Sequence, residues 1–357
     1  MPDHDMIVIG GAAGAVEALI AVTRGLPRDL PAAVFVVPHL PPDALSVLPE
    51  LLNRHGSLPA IHPRDGQLIE RGYLYVALPD LHLLVEPATI HLAHGPKENG
   101  RRPAIDPLFR SAAMSHGRQT VGVILSGTLD DGAFGLWYVK QQGGVAIVQE
   151  PEDAFFPELP RNAIAAAPVD HILPASSIPP ILTRLAYEPV QAAPPSESSP
   201  AVAAESELPE LSIAALRSGE RPRQPSLFSC PECGGALREA RVDGHARFHC
   251  RVGHTFSLES LAAEQSSAVE TGLWSTLRGL EEKAALARRL VGLARDREQV
   301  LTAARFEQQE RAAQEQAEFV RRAIQTSKPF AIAELDETRQ VVDKIEPAEH
   351  PGQSTGG

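Results

Sequence analysis

Met6-Ile7-Val8-Ile9-Gly10-Gly11-Ala12-Ala13-Gly14-Ala15-Val16 is the stretch that decides the fold. An apolar run too short for a helix enters a glycine turn, and from Val16 to Leu26 apolar residues recur at helical spacing. Strand, tight turn and helix N-terminus form the unit with which an α/β protein presents a nucleophile or holds an anion. A dinucleotide fingerprint asks for glycine where Ala12 stands and for an acid near the end of the next strand, which ends instead in Pro38-His39. The pattern that fits better is G-x-S-x-G, with Ala12 at the serine position.

Working outward, Ala33 to Val37, Tyr73 to Ala77, Val121 to Leu125 and Val145 to Val148 repeat the short β-branched run. Between them Ala44 to Arg54, Asp106 to His116 and Ala133 to Gln142 carry apolar residues at helical spacing. Strands buried on both faces and alternating with helices predict a mostly parallel α/β sheet with helices on both sides. Ile61 to Leu92, with paired short strands and tight turns, reads as an antiparallel insertion.

Functional groups of a parallel sheet gather where its strands end. His39 stands there after the second strand, a position suited to a general base, although a lone histidine is more often structural. Asp130 and Asp131 follow Val121 to Leu125; an acid before glycine serves turns and helix caps, and it can also orient a histidine. The chain order of nucleophile position, His and Asp is that of a hydrolase triad.

Taken together, Ile9-Gly10-Gly11-Ala12-Ala13-Gly14-Ala15, Pro38-His39-Leu40-Pro41-Pro42, Asn99 to Pro103 with Asp106 to Phe109, and Ser126 to Gly132 resemble the catalytic domain of the CheB family. These are the chemotaxis protein-glutamate methylesterases, and the resemblance runs in order from residue 1 to about 187. It implies hydrolysis of glutamate methyl esters on chemoreceptors, with deamidation of receptor glutamines in some members. His39 matches the general base and Asp131 the residue that orients it. Backbone N–H groups at Ala13 and Thr128 match the oxyanion hole, and Arg101 and Arg102 lie in the segment that borders the cleft. The partners implied are a methylated chemoreceptor or a similar acidic protein segment, and a chemotaxis methyltransferase.

Two departures stand against that plan. The first strand begins at residue 6, so the expectation is that no receiver domain precedes it. Ala12 replaces the nucleophilic serine and Ala15 a glycine of the loop, and a methyl group cannot attack a carbonyl. Ser126 and Thr128 carry hydroxyls near Asp131, but a substitute would have to meet the oxyanion position and His39 together, and neither is expected to do so. Two readings follow: a methylesterase homologue with impaired activity, or a catalytically inactive binding or scaffold protein that recognises receptors or other signalling partners.

The first domain is assigned to 1–188, and a Pro-rich, acidic linker follows over 189–227, with Leu211 to Leu216 as a candidate short docking helix or an incidental leucine cluster. Cys230, Cys233, Cys250 and His254 then form C-x2-C, sixteen residues, C-x3-H, a closed set for a structural Zn2+ in a ribbon over 228–257. Asp243-Gly244 is its hairpin turn, and His245 and His249 are weaker candidates for the fourth ligand. No organic cofactor is implied. Over 258–327, Leu273, Leu277, Leu280, Ala284, Ala287, Val291 and Ala294 make a heptad seam, and Phe306, Ala313, Ala317, Val320 and Ile324 a second. A helical hairpin with its turn at Gly292 to Glu298 and a coiled coil joining two copies both satisfy that spacing. The tail, 328–357, is polar and reads as disordered.

Composition bounds the whole. In 357 residues there are 32 prolines, about 9 % against a usual ~5 %, which fits a linker between domains. A formal charge of -12 argues against nucleic acid, even though Arg238, Arg241, Arg247 and Arg251 cluster in the ribbon. No apolar run reaches the roughly 18 to 20 residues of a membrane span, and the acidic start is unlike a signal peptide. Three cysteines do not make a disulfide framework, so the reading is cytoplasmic, with the cysteines given to metal.

Overall fold

A computed structural model describes residues 4–39, 47–190 and 224–326. The Leu211 to Leu216 segment, most of the linker, Leu40-Pro41-Pro42 and the tail lie outside the described residues. The chain divides into two compact units, Met1–Leu261 and Ala262–Gly357.

The first unit is built on β1 (Met6–Gly11), β2 (Ala33–Pro38), β3 (Ala60–Ile61), β4 (Leu74–Val76), β5 (His82–Val85), β6 (Ile90–Ala93), β7 (Thr120–Ile124), β8 (Val145–Gln149) and β9 (His171–Leu173). Seven of these strands form one sheet in the order β3-β4-β2-β1-β7-β8-β9, and every pair in it is parallel. Along β1, Met6 and Val8 face one core and Ile7 and Ile9 the other, which is why the strand reads as an unbroken apolar run. Helices α1 (Ala15–Gly25) and α2 (Leu48–His55) cover one face, and α3 (Ile105–His116), α4 (Ala133–Gln141) and α5 (Glu158–Ala166) cover the other. The closing helix, α6 (Ile178–Tyr187), returns to the α1 side through Ile178, Leu182 and Leu185.

The antiparallel insertion is smaller than the sequence suggests. Of the strands within it β5 and β6 pair antiparallel, with an isolated antiparallel bridge from Leu68 to Thr89, whereas β3 and β4 join the parallel sheet, because Leu74, Tyr75 and Val76 are buried on both faces. Helices α5 and α6 hold prolines at Pro160, Pro179 and Pro180, each within a first turn, where the missing N–H has no intrahelical partner to lose.

The cysteine module forms a four-stranded antiparallel sheet from β10 (Gln224–Ser229), β11 (Ala236–Val242), β12 (His245–Cys250) and β13 (Thr255–Ser257). Asp243 and Gly244 turn at φ 45° and 86°, as a two-residue hairpin requires. This module packs onto the parallel-sheet domain within the same compact unit. Val242 joins the core beneath α3 and α4, the His245 ring lies 5.7 Å from Phe134 and 5.9 Å from Trp137, and Asn99 donates its N–H to Thr255 O at 2.7 Å. Arg247 is 2 % exposed, so the arginine cluster seen in the sequence loses one member to the interior.

Helices α7 (Leu258–Asp296) and α8 (Val300–Thr326) account for the described part of the second unit. They run antiparallel, with Arg288 paired to Glu310, Arg295 to Glu307 and Arg321 to Glu281. Leu277, Ala284, Ala287, Val291 and Ala294 of the seam are buried, as are Ala303, Ala313 and Ala317. The turn occupies only the end of Gly292 to Glu298: the helix runs on to Asp296, and Glu298, at φ 58°, donates its N–H to Arg295 O. Among the described residues no helix is long and apolar enough to cross a membrane.

Close approach of α3 and α4 depends on Gly135, where an added Cβ would stand 2.7 Å from Phe109 Cβ and 3.1 Å from Asp106 Cα. Gly135→Ala should therefore cost about 1–3 kcal/mol, the usual penalty of overpacking. A lower urea midpoint at unchanged m value would show it; an unchanged midpoint would refute it.

Candidate functional site

Three loops meet at the carboxyl edge of the sheet because β1 lies between β2 and β7, with Gly11 opposite Pro38 and Gly10 opposite Ile124. The turn after β1 is tight: Ala12 N–H donates to Ser126 O at 2.9 Å, and Ala15 N–H returns to Ala12 O at 3.1 Å. Gly14 takes φ 72°, and a side chain there would meet Ser126 Oγ and Phe155 Cβ at 2.9 Å. Gly11 O accepts from His39 N–H at 3.0 Å, fixing the start of the next loop. Ala12 and His39 then line one small cavity of about 30 Å³, together with Gly11, Ala15, Val16 and Leu125.

His39 Nε2 lies 2.7 Å from Asp131 Oδ2. A carboxylate only accepts, so Nε2 carries a proton toward Asp131 and Nδ1 is the ring nitrogen left for another partner. Asp131 is 2 % exposed, and its Oδ2 also accepts Ile105 N–H at 2.7 Å. Its Oδ1 accepts from Asn99 Nδ2 at 2.9 Å and Asp106 N–H at 3.3 Å. Burial alone would raise the Asp131 carboxyl, but the His39 bond and charge, with the Ile105 and Asn99 donors, outweigh it and hold the group below its ordinary range.

A second carboxylate supports the first. Asp106 Oδ1 accepts Gly132 N–H at 3.0 Å and Gly135 N–H at 2.7 Å, while its Oδ2 takes Asn99 Nδ2 at 3.0 Å and Arg247 Nη2 at 3.1 Å. Burial raises its pKa, Arg247 opposes the rise and Asp131 adds to it. Asn99 therefore bridges two buried acids, and its Oδ1 accepts Ser257 N–H from the ribbon at 3.0 Å. Asn99, Asp106, Arg247 and Ser257 are the residues sequence reasoning did not assign to the site. The local signal for one of them is Asn99 beside Gly100, a pair suited to positive φ; Asn99 takes φ 51°.

The remaining assigned residues are placed as follows. Ala13 is exposed at the turn, Thr128 is half-buried, and neither amide N–H has an acceptor among the described residues. Leu129, next to Thr128, adopts φ 61° and its carbonyl accepts Asn162 Nδ2 at 2.8 Å, so the left-handed turn is held from outside. Arg102 is committed elsewhere: its guanidinium grips Asp80 Oδ1 at 2.9 and 2.6 Å and Gly95 O at 2.6 Å. Arg101 is exposed and bridges Glu98 through its backbone. Ser126 is fully buried, donating to Ala13 O at 2.8 Å and accepting Phe156 N–H at 3.0 Å, which makes its hydroxyl a brace for the loop.

At the ribbon, Cys230, Cys233, Cys250 and His254 bring four ligand atoms within 4.8 Å of one another. Cys233 Sγ and Cys250 Sγ are 3.7 Å apart, and His254 Nδ1 lies 3.7 Å from Cys230 Sγ and 3.5 Å from Cys250 Sγ. Tetrahedral bonds of about 2.3 Å to sulfur and about 2.0 Å to nitrogen imply separations of about 3.8 and about 3.5 Å, so the set fits a closed four-coordinate ion. Burial pushes the Cys230 thiol up to about 12 and lowers His254, leaving soft, neutral groups that a dication would convert to ligands. His249 Nδ1 pairs with Thr255 Oγ1 at 2.9 Å and His245 faces Phe134, so neither belongs to this set.

A parallel α/β sheet that presents a half-buried His on a buried Asp beside a glycine turn defines a class, the framework used by ester and amide hydrolases. Comparison with known proteins gives the family. The model of the CheB methylesterase family matches residues 7–182. A putative protein-glutamate methylesterase/protein-glutamine glutaminase of Leptospira interrogans is 33% identical over 184 residues, covering 51% of this chain and 95% of its own. A protein-glutamate methylesterase/protein-glutamine glutaminase of Geobacter metallireducens is 36% identical, over 51% of this chain and 53% of its own. The crystal structure of the Thermotoga maritima CheB methylesterase catalytic domain matches with a TM-score of 0.50 at 31% identity, over 51% of this chain and 98% of that one. This chain belongs to the CheB methylesterase family. It spans about half the length of curated relatives such as those of Geobacter metallireducens and Pyrococcus horikoshii.

Asp130, beside the pair, accepts Ser257 Oγ at 2.8 Å and Ser260 Oγ at 2.9 Å, and burial followed by the Glu259 charge pushes it up to about 7. An acid raised on folding keeps a proton that the unfolded chain has lost, so its contribution to stability falls as pH rises from about 4 to about 7. Asp130→Asn keeps the acceptor and removes the charge. Denaturant titrations should show the variant gaining on the wild type between pH 5 and pH 8; a pH-independent difference would contradict this.

Proposed function

We propose that this protein is a CheB-type methylesterase homologue of a chemosensory pathway that recognises glutamate methyl esters, or glutamines, on receptor-like segments and turns them over poorly. The observation that carries the reading is a retained His39–Asp131 pair facing a cavity whose nucleophile position is Ala12. In the family's chemistry a hydroxyl at residue 12 would attack the ester carbonyl while His39 Nδ1 takes its proton, and Asp131 would stabilise the imidazolium so formed. The Ala13 and Thr128 N–H groups would receive the oxyanion. Without the hydroxyl no acyl-enzyme can form, and in a serine protease that loss lowers kcat about 10⁶-fold, leaving a residual of about 10³ to 10⁴ over water. The buried bonds of Ser126 support the view that no neighbouring hydroxyl takes over. Arg101, an exposed side chain in the segment that the resemblance puts at the border of the cleft, is the one we assign to an acidic segment of the partner.

The second reading, an inactive recognition or scaffold protein, is favoured by the same alanine and differs only in residual turnover. Both predict binding. Purified protein and Ala12→Ser should bind a methylated receptor peptide within a few-fold of each other, while methanol release by Ala12→Ser exceeds that of the wild type by about 10³-fold or more. Equal, substantial release by the two proteins would overturn the assignment of residue 12.

The ribbon ion we assign as structural zinc, because three thiols and one imidazole form a closed soft set with no open position. Metal analysis should find one zinc per chain in the wild type and a strong loss in Cys233→Ser. Wild-type protein purified without stoichiometric zinc would refute it.

A further inference from the structure

Hairpin β12–β13 touches the candidate site and the metal ligands at once. Cys250 closes β12 three residues after Arg247, and His254 precedes β13, whose last residue is Ser257. The knuckle between them is closed by Cys250 N–H to His254 O at 3.0 Å and Gly253 N–H to Cys250 O at 3.2 Å. One ion would therefore pin the end of the hairpin whose two strands carry Arg247 and Ser257.

Each of those residues sets something in the site that the parallel-sheet domain leaves open. An amide side chain can present its oxygen or its nitrogen to a given side. Ser257 N–H takes Asn99 Oδ1 and so turns Asn99 Nδ2 toward Asp106 and Asp131. Arg247 supplies the counter-ion of Asp106: its side chain is 3% exposed and that of Asp106 1%, and the guanidinium also lies 4.6 Å over the Phe134 ring. With Arg247 withdrawn, Asp106 and Asp131 would face each other across one amide, and like charges buried together favour protonation or separation. Either outcome alters the carboxylate that His39 Nε2 binds.

We propose that Arg247 and Ser257 are positioning residues for the His39–Asp131 pair, and that metal loading of the ribbon sets the geometry of that pair. The proposal rests on the reading of His39 and Asp131 as the working pair and of the ribbon as a metal site. A merely structural ribbon would change global stability and leave the His39 ring as it is in every folded sample.

The test reads that ring in the full chain. In protein labelled with ¹⁵N-histidine, the His39 Nε2–H resonance is assigned by its disappearance in His39→Gln, and its exchange with solvent is measured in zinc-loaded, chelator-stripped and zinc-restored samples. Stripping should raise the exchange rate about tenfold or more as the bond to Asp131 opens, zinc should restore it, and the amide signals of β1, β2 and β7 should keep their dispersion. Zinc-loaded Arg247→Gln should mimic stripping, and Arg247→Lys, which keeps the charge, should recover part of the protection. Unchanged exchange in protein shown to be metal-free would overturn the proposal. So would faster exchange accompanied by collapse of the β1, β2 and β7 dispersion, since the ribbon would then act on the whole fold. No turnover is needed, so failure of the Ala12→Ser esterase assay and failure of this proposal are separate results.

Discussion

Two buried carboxylates hold the centre of this protein. Asp131 accepts the first N–H groups of α3, from Ile105 and Asp106, and Asp106 accepts N–H groups at the start of α4, from Gly132 and Gly135. Asp131 thus caps the helix on which Asp106 stands, and Asp106 caps the helix that Asp131 immediately precedes, where orphan amides and the helix dipole favour negative charge. Two like charges at this depth are tolerable only with compensation, and Asn99, His39 and Arg247 provide it. Removing any one of them leaves a buried polar group without its partner, a loss that commonly exceeds the value of the bond itself.

That arrangement gives Asp131 a structural role that does not depend on a hydroxyl at residue 12. Asp131 and its donors also fasten α3 to α4, so selection for a folded domain alone would keep them. His39 differs: its ring is the member of the network that reaches the cavity beside Ala12, and its backbone N–H already ties β2 to Gly11. With Nε2 given to Asp131, Nδ1 is the ring atom placed to meet a bound segment, which fits recognition as well as catalysis.

The ribbon changes how the domain plan is understood. A composition break near residue 189 suggests modules on a flexible tether, yet the first compact unit extends to Leu261. Polar contacts make the joint: Lys97 pairs with Glu232, Asn99 with Thr255 and Ser257, Asp106 with Arg247, and Asp130 with Ser257 and Ser260. Such contacts are directional, so they fix one docking geometry where an apolar patch would permit several.

By itself the sequence determined the parallel α/β plan, the glycine turn with alanine at residue 12, His39 and Asp131 after strands of the sheet, the C-x2-C and C-x3-H ligand set and the helical seam. All of these are legible because they are local: periodicity, turn chemistry and ligand spacing act over a few residues. Tyr73 to Ala77 falls both among the runs of the parallel sheet and inside the antiparallel insertion, and three paired residues carry no local mark of which partner they take; the structure puts Leu74 to Val76 in the parallel sheet. Tertiary structure alone decided that Asn99 bridges two acids, that Ser126 is a brace, and that Arg247, 141 residues beyond Asp106 in the chain, is its buried counter-ion. A charged side chain in a sequence carries no mark of burial; its partner, brought close only by the docking of the ribbon, makes the interior possible for it.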